Sequence, residues 1–181
     1  MHFKQPDSTL IMIGERKDEC GGSVYYDLFG ELGANVPKPD LNEVERQIFA
    51  LTDAIDAGLI LSAHDISDGG IATTLAEMSF GNEIGCAVLV PPLVRHGGSV
   101  LWRIGGDEQG VRVLFSETGG FVLEIAPENV ERVKSIFAAR NVEAIEIGKT
   151  IEEKKLKMND IIDINLLEAK ERWTNGLREK L

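Results

Sequence analysis

At 181 residues with 43% hydrophobic content, the chain is long enough for one compact domain with a sizeable core and too short for two comfortable ones. A formal net charge of −11 argues against a nucleic-acid surface, because phosphates would be repelled and no Lys/Arg cluster offsets the repulsion. The two cysteines, Cys20 and Cys86, read as small core residues rather than a disulfide; with no secretory leader pattern and no apolar stretch of membrane length, a cytoplasmic protein is expected.

In chain order, Thr9 to Ile13 reads as a buried strand ended by Gly14. With Asn42 as N-cap and Glu45 three residues later, Val44, Ile48, Leu51 and Ile55 recur at helical spacing, and Gly58 supplies the stop. Leu59 to Leu61 is strand-like, and a helix follows from about Ile71 to Phe80. Ile84 to Val90 and Val111 to Phe115 read as strands, the second pairing with Phe121 to Ile125 across Thr118-Gly119-Gly120 as a hairpin. Between them, Pro91-Pro92 and His96 to Asp107 are expected to form a mobile loop. Pro127 suits the first turn of a helix whose apolar face includes Val130, Val133 and Phe137, and Val142 to Ile147 reads as the returning strand. Glu152 to Lys157 reads as a charged hairpin or linker, and Leu166 to Leu181 as a helix with Leu166, Trp173 and Leu177 facing inward. The expected organisation is a single domain over residues 1–181, in which 151–181 is a terminal hairpin and helix extension. Its class is α+β: a layered mixed sheet with helices, partly ferredoxin-like, in a split βαβ arrangement that carries its helices on one face.

The chemistry concentrates in His64-Asp65-Ile66-Ser67-Asp68-Gly69-Gly70, at the predicted strand-to-helix turn. Gly69 and Gly70 allow close backbone approach where free N–H groups and the helix dipole favour an anion. Asp65 and Asp68 would repel a phosphate unless a divalent cation, or an ammonium or amide group of the ligand, lay between them, so a magnesium-bridged phosphate is a coherent ligand. The plain alternative is equally coherent: Asp68 or Ser67 caps the helix, Asp65 caps the strand end and His64 bonds to backbone. Gly21-Gly22-Ser23, after the first strand, repeats the device and could present amides and a hydroxyl to a phosphate, although a simple turn accounts for it. Ser116-Glu117 places a carboxylate at a predicted strand end, where a solvated turn residue is the simpler reading.

The run from His64 to Gly70, with Glu77-Met78 downstream, resembles the signature in the last domain of the phosphoribosylformylglycinamidine synthases. Gly14 to Tyr25, Leu114-Phe115-Ser116-Glu117 and Ile147-Gly148-Lys149-Thr150 are similar to further segments of that family, in the same order and spacing. Cys20 departs from it, standing where leucine is common. The resemblance implies a C-terminal domain of the aminoimidazole ribonucleotide synthetase type, and a role in de novo purine biosynthesis. In that reaction ATP, with Mg2+, activates the formyl amide oxygen of formylglycinamide ribonucleotide, and ammonia from glutamine displaces phosphate, an ATP-dependent C–N ligase reaction that forms an amidine.

By the same resemblance His64, Asp65, Ser67, Asp68, Gly69 and Gly70 face the substrate cleft, Gly21, Gly22 and Ser23 form a phosphate-facing loop, and Asp65 and Asp68 meet the metal through its phosphate. The resemblance assigns no catalytic base. The implied partners are the remaining synthase domains and a glutaminase domain or subunit, since one domain supplies too few groups for phosphoryl transfer and the chain alone is expected to be inactive. Met1 to Asp7 reads as a start inside a longer protein. The competing expectation is a structural interface module with no direct ligand contact, which would expose an apolar patch or self-associate as a homodimer.

Overall fold

The structure is a computed structural model and describes residues 1–91 and 107–176, with the side chains of 107–109 excepted. Its elements in chain order are β1 (Thr9–Ile13), α1 (Val24–Asp27), α2 (Leu41–Asp56), β2 (Ser62–Asp65), α3 (Gly70–Phe80), β3 (Gly85–Val88), α4 (Asp107–Phe115), β4 (Phe121–Ile125), α5 (Val130–Ala139), β5 (Ala144–Ile151), β6 (Lys155–Met158), β7 (Ile162–Asn165) and α6 (Leu166–Asn175). A single 3-10 turn over Pro127–Asn129 leads into α5, with proline at its first position as expected.

The strands form one seven-stranded mixed sheet in the order β2-β4-β1-β5-β3-β6-β7. Each neighbouring pair is antiparallel except β3 and β6. Following these pairings, β2 and β3 run one way and β4 and β5 run the other, so β2-α3-β3 and β4-α5-β5 are two split βαβ crossovers. Both step across the sheet in the same sense while running in opposite directions. Right-handed crossovers then put their helices on opposite faces, and the helices do pack on both faces rather than on one. Ile71, Leu75 and Met78 of α3 share a core with Leu10, Met12, Val122 and Ile147. Val130, Val133 and Phe137 of α5, with Ala50, Leu51 and Ala54 of α2, cover Ile11, Ile13, Leu123 and Ile125. A central strand covered on both sides needs apolar residues at every position, which is why β1 reads as an unbroken apolar run.

Three local expectations shift. The segment Val111 to Phe115 is the last part of helix α4, not a strand. A helical turn lets Val113 and Leu114 bury together while Arg112 reaches Asp18 at 3.1 Å, a combination that alternating strand geometry would split between two faces. Its predicted hairpin partner, β4, pairs instead with β1 and β2. Helix α2 starts two residues early, with Asp40 Oδ1 accepting the amides of Asn42 and Glu43. Its buried face is Gln47, Ala50, Leu51 and Ala54, because small alanines let the helix approach the sheet while Ile48 and Ile55 stay about half exposed. Gly58, with a φ of +69°, closes α2 as expected: its amide bonds Ile55 O and that of Leu59 bonds Ala54 O.

At the other end of the chain, Lys155–Met158 is a sheet strand beside β3, so Glu152 to Lys157 is more than a solvated connection. In α6 Leu166 is buried but Trp173 is 58% exposed, its ring resting against Phe80 at 5.5 Å. Leu177 and the predicted loop from Pro92 to Gly106 lie outside the described residues. Cys20 and Cys86 are buried free thiols, as expected, and burial pushes them up to about 11 and about 12.

The edge strand β2 is tied to the amino-terminal segment through Glu124. This fully buried carboxylate accepts the amides of Lys4 and Gln5 and the Ser62 hydroxyl at 2.8–3.2 Å. Glu124→Ala would strand the buried Ser62 hydroxyl and remove the acceptor of the two partly buried amides, and urea denaturation should show a loss of about 1–3 kcal/mol. Glu128→Ala, on the exposed turn, should stay within about 0.5 kcal/mol.

Candidate functional site: three turns at one end of the sheet

Ile13, Asp65 and Phe121 are paired in register at one end of the sheet. The three segments that leave this end, 14–24, 66–70 and 116–120, meet one another. Ile66 N donates to Gly120 O at 2.8 Å, and the Arg16 Nη2 group donates to Gly119 O at 2.7 Å. Ser116 Oγ donates to Lys17 O at 2.7 Å, and Thr118 Oγ1 donates to a Glu19 carboxylate oxygen at 3.0 Å.

Strand β2 begins later than the apolar pattern suggests, so His64 and Asp65 are strand residues, the first half-buried and the second exposed. His64 turns toward α3, with Nε2 3.3 Å from Glu77 Oε2 and Nδ1 3.2 Å from Asp65 Oδ1 and 2.8 Å from the Asp65 carbonyl oxygen. It lines a cleft of about 380 Å³ with Phe80, Lys170 and Trp173, separate from the three turns. Asp65, Ser67 and Asp68 are exposed, while Gly69 and Gly70 are buried.

The helix-capping reading of Ser67 and Asp68 is not what the turn does. Gly69 is the N-cap of α3, in the left-handed region at φ +76°, and has no side chain with which to cap it. Gly70 is also left-handed, and a Cβ there would lie 2.7 Å from the carbonyl oxygens of Leu114 and Ser116. The second glycine is therefore demanded by the close crossing of α4 over the turn.

Gly21, Gly22 and Ser23 carry their polar groups inward. The Gly21 and Gly22 amides donate at 2.7 Å to Asn35 O and Leu32 O, and Ser23 Oγ caps α1 by accepting the Tyr26 amide at 3.2 Å. What joins this loop to the α3 turn is Glu117. One of its oxygens, Oε1, accepts the Val24 amide at 2.9 Å and the Gly69 amide at 2.9 Å. The carboxylate that reads in sequence as a solvated turn residue thus occupies the amide-rich start of both helices.

Sequence reasoning also missed Arg16. Its side chain is 1% exposed, and among the described residues its Nε and Nη1 groups have no hydrogen-bond partner. Burial pulls the guanidinium down to about 10, against the opposing pull of Glu19 and Glu43. An arginine in a loop carries no apolar periodicity that would signal burial. A cleft of about 250 Å³ opens beside the three turns, lined by Lys17, Lys38, Asp40, Glu117 and Thr118 among others. A larger cleft, about 420 Å³, lies over β3 and β6 and contains none of the predicted site residues.

Among the described residues no group of His, Cys, Asp or Glu forms a ready-made metal cage. Asp65 and Asp68 are both exposed carboxylates, the donor type of a cation that brings most of its own ligands as phosphate and water. No helix among the described residues is long and apolar enough to cross a membrane.

The crossing of α4 over Gly70 sets up a direct comparison. Gly70→Ala should lose at least about 2 kcal/mol in urea denaturation, from backbone strain and the carbonyl clash together. Gly22→Ala, equally left-handed but with open space around it, should lose only about 1 kcal/mol.

Residues 5–161 match the family described as AIR synthase related protein, C-terminal domain. The chain is 32% identical over 185 residues to the phosphoribosylformylglycinamidine synthase subunit PurL of Methanothrix thermoacetophila, covering 100% of this chain and 22% of that protein. It therefore spans about a fifth of that relative's length. Among solved structures, T. maritima PurL complexed with FGAR is similar with a TM-score of 0.74 at 17% identity, covering 93% of this chain and 29% of that one. T. maritima PurL complexed with ATP gives a TM-score of 0.69 at 16% identity, covering 93% and 26%. The match over residues 5–161, most of its length, places this chain in the AIR synthase related protein, C-terminal domain family.

Proposed function

We propose that this chain is the C-terminal domain of a phosphoribosylformylglycinamidine synthase, one wall of a composite site that converts formylglycinamide ribonucleotide to its amidine with ATP, Mg2+ and ammonia from glutamine. The observation that carries this reading is the convergence of the His64–Gly70 turn with the Gly21–Ser23 loop around one carboxylate, leaving Asp65, Ser67 and Asp68 on the open side. In this reading Asp65 and Asp68 meet a magnesium ion carried by the ligand's phosphates, and Ser67 donates to a ligand oxygen. Gly21, Gly22, Ser23, Gly69 and Gly70 shape the turns that hold these side chains, and His64 braces β2 against α3. Such a site would act by positioning and charge stabilisation, with no general base assigned to this domain.

The remaining synthase domains would supply the nucleotide cradle, and a glutaminase domain or subunit the ammonia, in a cytoplasmic enzyme. An exposed apolar surface supports a neighbouring domain: Val24, Leu28, Phe29, Leu32 and Val36 are each 49–77% exposed, directly beside the Gly21–Ser23 loop. Aromatic stacking of Tyr25 on Phe115, with centroids 5.0 Å apart, holds this surface to the body. The same patch favours the second reading, a module that contributes an interface and touches no ligand.

A glutamine- or ammonia-dependent ATPase assay with formylglycinamide ribonucleotide separates these readings. The chain alone should be inactive, and adding the remaining synthase domains should restore turnover. In that mixture Asp68→Asn should raise the Mg2+-ATP requirement about 10-fold while leaving thermal stability within about 0.5 kcal/mol, since Asp68 caps nothing. Activity of the chain alone would overturn the composite site, and an Asp68→Asn variant with unchanged kinetics would favour the interface module.

A further inference from the structure

Glu117 does something that neither the candidate site nor the proposed reaction assigns. An amide-rich start of a helix attracts anions, and at α3 that position is already taken by a protein carboxylate. The same oxygen holds the first amide of α1, so one atom fixes the separation of two turns that the chain order keeps far apart. The flanking side chains hold the carboxylate in place. Ser116 Oγ bonds Lys17 O at 2.7 Å and lies 2.9 Å from Thr118 Oγ1, which reaches Glu19 at 3.0 Å. Ser116 is fully buried and Thr118 nearly so, which leaves the Glu117 side chain little freedom to swing away.

We infer that Glu117 is the positioning residue of the site, an internal anion that locks the Gly69 turn to the start of α1 and so aims Asp65, Ser67 and Asp68 outward. This inference rests on the proposed synthase reading for its kinetic part. It adds a statement about ligand chemistry. A phosphate cannot share the Gly69 amide with Glu117 without strong repulsion, so negative groups of the ligand reach this turn only when a cation carries them to the exposed carboxylates. The glycine-rich turn therefore selects a metal-complexed anion over a bare one.

Two variants test it. Glu117→Ala removes the acceptor, whereas Glu117→Gln keeps an acceptor oxygen of the same shape and loses the charge. In the chain itself, Glu117→Ala should speed hydrogen exchange of the Gly69 and Val24 amides about 10-fold, with the β1 and β4 amides unchanged, and Glu117→Gln should restore most of the protection. In the mixture with the remaining synthase domains, Glu117→Ala should lower kcat/KM for Mg2+-ATP about 10-fold or more, with Glu117→Gln between it and the parent. Unchanged exchange at both amides would overturn the clamp. Faster exchange with unchanged kinetics would overturn the positioning role and leave a purely structural contact. An inactive parent mixture would instead overturn the synthase reading, and with it the positioning role, while the exchange measurement still decides whether the clamp exists.

Discussion

Two backbone amides from distant parts of the chain share one oxygen of Glu117, and the geometry of the candidate site follows from that contact. The Gly21–Ser23 loop spends its two glycine amides on Asn35 and Leu32, and the Gly69-Gly70 turn has no cap from its own side chains, so neither is oriented by its own sequence alone. Their mutual placement is set by a third segment, Ser116 to Thr118, whose three side chains bond Lys17, Glu19 and Val24 on either side of the loop and Gly69 in the turn. In a chain of net charge −11, a half-buried carboxylate set against two helix starts is a stable arrangement because the amides and the helix dipole favour its charge. The consequence for chemistry is a turn whose Gly69 and Gly70 amides are committed and whose exposed side chains are two acids and a serine hydroxyl.

The sheet delivers these three segments to one place. β1 lies between β4 and β5, and β4 lies between β1 and β2, so the ends of β1 and β2 and the start of β4 are adjacent. Because the two split crossovers run in opposite directions, α3 and α5 cover opposite faces and the sheet end between them stays open for the loops. The body beneath is rigid for identifiable reasons: β1 is buried on both sides, and Glu124 satisfies the donors of the amino-terminal segment at the sheet edge.

Much of this was legible in the sequence. The apolar run of β1, the Gly58 stop, the proline start before α5 and the glycine-rich turns follow from short-range physics and stand where they were expected. The failures share a cause. Val111 to Phe115 has the β-branched composition of a strand, but its environment rewards a helix that buries Val113 and Leu114 against α3 and reaches Asp18 with Arg112. Ile48 and Ile55 looked like core residues, whereas the close approach of α2 needed alanines. His64 and Asp65 were read as one turn, but they close strand β2, with His64 half-buried against Glu77 of α3 and Asp65 exposed. Above all, the role of Glu117 depends on where two other segments lie in space, which no local pattern records. The resemblance of Leu114 to Glu117 to a known motif marked the place without showing what the carboxylate holds.

The central claim is that these three turns face the ligand when the chain is joined to the rest of a synthase. Isotope-labelled chain, bound to the unlabelled remaining domains and titrated with Mg2+-ATP and formylglycinamide ribonucleotide, would test it by amide chemical shifts. Perturbation on assembly at residues 24–36, followed by ligand-dependent perturbation at Asp65, Ser67 and Asp68, is the predicted result. Ligand-dependent shifts confined to the cleft over β3 and β6, around Asn159 and Asp163, would contradict it.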